Sequence, residues 1–238
     1  MYSKEFCDIY NEYGWDYFSV TMGEAILKYF KMNEINITNH LDLASGTGTL
    51  CNFFYNHNIE TMGIDISKDM VEISKSKNNK IKFLVADMIT YKSDNKYDLV
   101  TITCDTVNHI LENKKIEQLF SNVYEMLDED GYFIFDIYNR DKLDLNTDII
   151  SNRDDGIKVK YYITERNGLI NTNIKVMKND SLVYEYDVLE KLYETEYIKN
   201  LLNKFSFKII QIADKILDEE QRFKDKFYII CKKINRRK

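Results

Sequence analysis

Proline is absent from all 238 residues. Every turn must then be built by Gly, Asn, Asp or Ser, and no cis-proline bond can act as a slow switch. Glycine is scarce, eight in all, so two glycines one residue apart mark a place where the backbone needs unusual freedom. The four cysteines, Cys7, Cys51, Cys104 and Cys231, are scattered with no C-x-x-C pair. That argues against a disulfide frame or a metal site and for reduced thiols in a cytoplasmic protein. No apolar run approaches the ~18 residues of a membrane span, and Lys4, Glu5 and Asp8 stand where a signal sequence would be apolar. Nor is there a surplus of positive charge: 33 Lys and Arg against 39 Asp and Glu leave a net −6. Phosphate neutralisation needs a basic surface, so nucleic acid is not the expected partner. The one basic cluster, Lys232-Lys233-Ile234-Asn235-Arg236-Arg237-Lys238, reads as a solvated chain end rather than an RNA-contacting tail. The remaining composition, 44% hydrophobic and 30% charged, suits one soluble domain with room for an inserted subdomain.

The closely spaced glycines lie in His40-Leu41-Asp42-Leu43-Ala44-Ser45-Gly46-Thr47-Gly48-Thr49-Leu50. A short apolar strand here runs into a glycine turn and straight into a helix, whose first N–H groups point into the same space. This is a nucleotide-binding corner. The spacing is not the dinucleotide G-x-G-x-x-G, because Cys51 stands where the third glycine belongs, and no Gly-Lys-Ser/Thr is present to hold a triphosphate.

Three acids follow at predicted strand ends. Glu60 to Asp65 reads as a second strand, and Asp65 follows Asp42 at close to the ~20-residue spacing at which an acid meets a ribose in strand–helix–strand folds. One carboxylate can accept hydrogen bonds from both vicinal ribose hydroxyls. Ser67 can cap the next helix, with Asp69 in its first turn. Ile81 to Ala86 is a third strand leading to Asp87-Met88, and Tyr97 to Thr103 a fourth leading to Asp105. Ile116, Leu119, Phe120, Val123, Met126 and Leu127 form the apolar stripe of a helix. Asp128-Glu129-Asp130-Gly131 is a turn into a fifth strand, Tyr132 to Tyr138. From 141 to 193 the period changes to two, which predicts a three-stranded antiparallel sheet with Asn167-Gly168 as a hairpin turn. Thr195 then caps a helix, and Phe207 to Ile212 and Phe227 to Cys231 are two closing strands. Ahead of all this, residues 3 to 33 read as two helices joined at Tyr13-Gly14-Trp15-Asp16.

Asp-x-Ala-x-Gly-x-Gly, Asp65 and Asp87 in this order resemble the motifs of class I S-adenosylmethionine-dependent methyltransferases, with Ala44 replacing the usual first glycine. The resemblance spans nearly the whole chain and is weakest over 141 to 193. It implies an α/β fold, a Rossmann-like seven-stranded mostly parallel sheet whose seventh strand is antiparallel. It implies a domain of residues 1–140 and 194–238, with an N-terminal helical lid (1–34) and an inserted antiparallel β subdomain (141–193) on the acceptor side. S-adenosylmethionine is the implied cofactor, contacted by Tyr10, Asp42, Ala44, Ser45, Gly46, Gly48, Asp65, Ile66, Met70, Asp87, Met88 and Thr103. Tyr10-Asn11-Glu12-Tyr13 is similar to the family's Tyr-Asp-x-x lid, with Asn11 departing from the Asp. Thr106-Val107-Asn108-His109-Ile110 is similar to a Ser/Thr-x-x-His-Leu/Ile stretch of small-molecule N-methyltransferases, which makes His109 the candidate base. Trp15, Asn108 and Tyr138 are the expected acceptor contacts, and the acceptor is a small molecule. Leu127-Asp128-Glu129-Asp130-Gly131 keeps only the leucine and one glycine of the family's Leu-x-Pro-Gly-Gly. Two alternatives remain at this point: an NAD-dependent oxidoreductase, and a non-catalytic S-adenosylmethionine-binding regulator.

Overall fold

In the computed structural model, residues 4–143, 145, 148–152, 156–216 and 225–235 are described. The chain opens with α1 (Lys4–Ile9) and α2 (Tyr17–Met32), the latter burying Phe18, Met22, Ile26 and Phe30 on one face. Alternation of strand and helix follows: β1 (Asn39–Leu43), α3 (Thr49–Asn56), β2 (Glu60–Asp65), α4 (Lys68–Lys77), β3 (Lys82–Val85) and β4 (Tyr97–Ile102). A 3-10 turn (Thr106–His109) leads to α5 (Asn113–Met126) and β5 (Leu127–Tyr138). Next come β6 (Asp148–Asn152), β7 (Ile157–Arg166), β8 (Leu169–Lys178) and β9 (Ser181–Lys191). The chain closes through α6 (Thr195–Lys204), β10 (Phe207–Ala213) and β11 (Lys226–Lys233).

Seven strands form the main sheet in the order β10-β11-β5-β4-β1-β2-β3. β1 pairs in parallel with β2 and β4, β2 with β3, and β4 with β5, while β11 is antiparallel to both β5 and β10. Only β11 therefore runs against the rest, as the family resemblance implies. Parallel strands need both faces covered. One face packs on α5 and α6 through Ile116, Leu119, Phe120, Ile198 and Leu202. The other packs on α2 and α3 through Met22, Ile26, Phe30, Leu50 and Phe54. Strand order reverses between β1 and β4, and in open sheets the crevice beyond the carboxyl ends at such a switch point receives ligands.

Three local expectations are corrected. The second sheet has four strands, in the order β6-β7-β8-β9; β6 is too short for its period to stand out. Asp128–Gly131 is not a separate turn but the irregular first part of β5, where Asp130 takes a left-handed φ of 65° and the register against β4 shifts between Tyr97 and Leu99. Glu194, not Thr195, occupies the N-cap of α6, with no side-chain cap bond. Ser67 does cap α4, accepting from the Met70 amide at 3.3 Å. Asn167 and Gly168 both have positive φ, 55° and 75°, as a two-residue hairpin turn of the favoured twist requires. Among the described residues no helix is long and apolar enough to cross a membrane. Arg236, Arg237 and Lys238 of the basic cluster lie outside the described residues.

Candidate active site

The corner after β1 divides its two glycines between different tasks. A Cβ built on Gly48 (φ +74) would come within 2.7 Å of Phe83 and 2.8 Å of Ser74, so this glycine lets α3 close on β3 and α4. A Cβ on Gly46 (φ +55) would meet nothing within 4 Å. Its bare backbone faces open space at the ligand end of the sheet, a cradle that a larger residue would fill. Ala44 shares the left-handed conformation, φ 61°, which explains the family's glycine there. Ser45 serves the turn through its backbone: its amide donates to Ile64 O at 2.8 Å and its carbonyl accepts from Gly48. Its hydroxyl is turned toward β2, in the direction a Cβ on Gly63 would take.

Asp65 ends β2 directly across this turn. One oxygen accepts from the Gly46 amide and the other from the Ser67 amide, each at 2.8 Å. Burial pushes its carboxyl above the usual range, and these two amide bonds pull it back. A carboxylate oxygen accepts more than one hydrogen bond, so the acid that shapes the loop keeps acceptor capacity for a ribose. Ile66, next in the chain, is an exposed large apolar side chain, 52% accessible. Asp87, after β3, spends one oxygen on the Ile89 amide at 2.8 Å, while Met88 is partly buried against the core. Met70, expected at the adenine, is buried, packed with Phe6 and Cys7 of α1.

Asp42 is sealed under the turn. Thr101 Oγ1 donates to its Oδ1 at 2.6 Å, and Cys51 Sγ approaches Oδ2. Burial pushes the carboxyl up to about 7, with the Thr101 bond opposing and the Asp65 charge adding. Because the Thr101 hydrogen is used on Asp42 Oδ1, its oxygen must accept from His40 Nε2 at 2.8 Å, and His40 Nδ1 then accepts from Thr61 at 2.9 Å. Burial pushes His40 down to about 3, so it is a neutral core residue.

Residues 4–16 lie across this end of the sheet. Phe6 stacks on Trp15 at 4.8 Å, and Tyr10 sits 5.8 Å from the same indole. Trp15 Nε1 donates to Tyr161 of β7 at 2.9 Å, and Thr49 at the start of α3 donates to Asp16 at 3.2 Å. The N-terminal segment thus touches both the glycine corner and the second sheet.

Beyond β4 the backbone makes two left-handed steps, Cys104 (φ 63°) and Asp105 (φ 51°). They are held by a buried charge cluster that sequence reading missed. The Asp105 amide donates to Asp136 at 2.7 Å, and Lys226 of β11 bonds Asp105 at 2.5 Å with Asp136 3.6 Å away. Despite burial, Lys226 holds the Asp105 carboxyl low, and the two acids in return raise Lys226. Thr103 is buried, its carbonyl accepting from Thr106 at 2.7 Å. His109 ends the turn that follows, its Nε2 3.7 Å from Glu190 of β9. Burial lowers the imidazole pKa, Asp105 raises it and Lys226 lowers it further. Tyr138 donates to the other Glu190 oxygen at 3.2 Å. Asn108, expected at the acceptor, is instead fully buried: its amide donates to Lys191 O and accepts from the Tyr138 amide, clamping β9 to β5. Glu190 was legible in principle. It continues the inward stripe Tyr184, Tyr186, Val188 of β9, a carboxylate on an otherwise apolar face.

Fold and site together suit an adenosyl cofactor: the Gly46 backbone is open, Asp65 has acceptor capacity left, and the loop has no lysine for a pyrophosphate. Residues 41–131 match a family model described as a methyltransferase domain. The chain is 27% identical over 206 residues, 81% of its length and 83% of the other's, to a protein of Geobacillus sp. (strain WCH70) named as a methyltransferase. It is similar in fold to an S-adenosylmethionine-dependent methyltransferase from Clostridium acetobutylicum ATCC 824, with TM-score 0.80 and 23% identity over 96% of this chain and 98% of that one. The same holds for the amino pentose methyltransferase CalS10 of Micromonospora echinaspora, solved with S-adenosylmethionine bound, with TM-score 0.78 and 13% identity over 98% of both chains. Residues 41–131 thus carry a methyltransferase domain, and the chain as a whole shares the fold of S-adenosylmethionine-dependent methyltransferases.

Proposed function

We propose that this enzyme methylates the nitrogen of a small amine, of the size of an aminosugar. The observation that carries the reading is the pair of carboxyl groups, Asp105 and Glu190, set with His109 at the ligand end of β4: their ligand atoms all lie within 4.8 Å of one another. Asp105 is already paired with Lys226, but Glu190 can ionise beside an arriving cation, which suits a basic amine better than a neutral alcohol, and two structural relatives are named as an amino pentose methyltransferase and a sugar N-methyltransferase. When bound, S-adenosylmethionine supplies a methyl carbon made electrophilic by a positive sulfur.

In this reading the open backbone of Gly46, with Ala44, Ser45 and Gly48 shaping the turn, receives the methionine part. Asp42 lies beneath its ammonium, Asp65 accepts from the ribose, and Ile66, Asp87 and Met88 border the adenine. Tyr10 and Thr103 line the approach to the sulfur. Residues 1–34 act as the lid. The insert, 141–193, closes the acceptor side with Trp15 and Tyr138, and His109 takes a proton from the amine. Orientation at contact distance supplies most of the rate, so His109 adds general-base help on top of it.

Calorimetry with S-adenosylhomocysteine and a methyl-label screen test this. Asp65→Ala removes the ribose acceptor and weakens binding by ~1.5–3 kcal/mol, the range for charged hydrogen bonds. His109→Ala slows turnover with cofactor affinity nearly unchanged. Label appearing on hydroxyl sugars and not on aminosugars would refute the amine assignment.

A further inference from the structure

Glu190 is buried, 3% accessible, yet it belongs to the second sheet, whereas His109 belongs to the loop after β4. Their contact joins the two sheets across the ligand end. Resting on the amine reading above, we propose that Glu190 is a positioning residue for His109: it orients the imidazole and holds the imidazolium that forms when the ring deprotonates an incoming ammonium.

The geometry supports this atom by atom. Nε2 faces Glu190 Oε1 at 3.7 Å, an ion-pair separation longer than a hydrogen bond. The other carboxylate oxygen is pinned by Tyr138, so the group cannot swing away. Nδ1 has no hydrogen-bond partner among the described residues and is left for the acceptor. In the step, an N–H bond of R–NH3+ breaks, its proton moves to Nδ1, and the bonding pair stays on nitrogen as the lone pair of R–NH2. One positive charge thus passes from ammonium to imidazolium beside Glu190. An acid beside the far nitrogen of a base histidine stabilises its charged form.

The groups facing Glu190 explain why it is available for this. Asp105 and His109 face it from the loop, Asp136 and Tyr138 from β5, Lys226 from β11 and Tyr186 from its own strand. Burial and then the Asp105 charge keep its carboxyl above the usual range, so a cation arriving next door ionises it where a fully exposed glutamate would already be charged. The same three side chains could be read as metal ligands. Lys226 argues otherwise, because its ammonium already bonds Asp105 at 2.5 Å and so occupies one of the three ligands a metal would need.

The chain has only three histidines, so 15N-histidine labelling of this chain resolves each ring by NMR. In the wild type, His109 titrates in two steps because its charge is coupled to that of Glu190 across 3.7 Å. In Glu190→Gln a single step remains, at lower pH, and Glu190→Asp restores the two-step curve. A matched amide spectrum and melting temperature establish that the variant is folded. Identical His109 curves in wild type and Glu190→Gln overturn the proposal, as does selective broadening of His109 by micromolar Mn2+, which would make the trio a cation site. Failure of the underlying reading looks different: the coupling persists, but methyl label goes to hydroxyl sugars and not to aminosugars, and the acceptor role then falls.

Discussion

Replacing each of the two turn glycines by alanine separates ligand space from packing space. Both positions have positive φ, +55° at Gly46 and +74° at Gly48, so either alanine carries left-handed strain of ~1–2 kcal/mol. At Gly46 that is the whole penalty to folding, because the new methyl meets nothing within 4 Å. At Gly48 the methyl lands 2.7 Å from Phe83 Cζ and 2.8 Å from Ser74 Cβ, and overpacking of this kind adds ~1–3 kcal/mol. For a chain of this size ~1 kcal/mol moves the melting temperature by ~2–4 °C. Gly48→Ala should therefore melt ~2–12 °C below Gly46→Ala, from the overpacking difference alone. Cofactor affinity should rank the other way. The Gly46 methyl occupies the space reserved for the ligand and should weaken S-adenosylhomocysteine binding at least ~10-fold, about 1.4 kcal/mol. Gly48→Ala, measured below its melting point, should bind within a few-fold of wild type. Differential scanning fluorimetry and calorimetry on the two variants give both numbers. Equal melting temperatures, or wild-type affinity in Gly46→Ala, would refute the division of labour.

The buried charges make three further predictions. Asp42 is held up at about 7 by burial, and a cationic ligand above it should lower that value, so binding releases a proton. Affinity for S-adenosylmethionine should then rise from pH 5 toward 7 and level off above, and Asp42→Asn should flatten the slope. Without ligand the sign reverses: the folded-state value lies above the ordinary aspartate value of 3.8, so the contribution of Asp42 to stability is full below that value and is lost as pH rises through about 7. Lys226→Met leaves Asp105 and Asp136 buried without their cation and should cost ~3–5 kcal/mol, read as a lower urea midpoint. Adding Asp136→Asn should recover part of it; no change in Lys226→Met would show the triad to be inert. Trp15 is the only tryptophan, and its indole N–H bonds Tyr161. Its emission should shift in Tyr161→Phe and on cofactor binding if residues 4–16 close over the site, and a spectrum indifferent to both would remove the lid role.

Much of this was present in linear order. Alternating strand and helix periods, with acids at the ends of β1, β2 and β3, are properties of neighbouring residues, so they define the parallel sheet and the cofactor edge before any contact is known. The Ser67 cap and the Asn167-Gly168 turn are local for the same reason: one hydrogen bond or one pair of dihedrals decides each. Which glycine meets the ligand was not local. Gly46 and Gly48 have the same backbone requirement, and only the position of Phe83, on a strand far along the chain, makes one a packing residue. Nor was the packing of Met70 with α1 legible in the helix stripe. The charged cluster is the extreme case. Asp105, Asp136, Glu190 and Lys226 come from four elements, and each alone reads as an ordinary loop or strand residue. Their meeting depends on β11 inserting beside β5 and on Asn108 tying β9 to the main sheet. Periodicity reports which face a residue takes; tertiary packing alone decides what stands opposite, and a buried charge takes its chemistry from that neighbour.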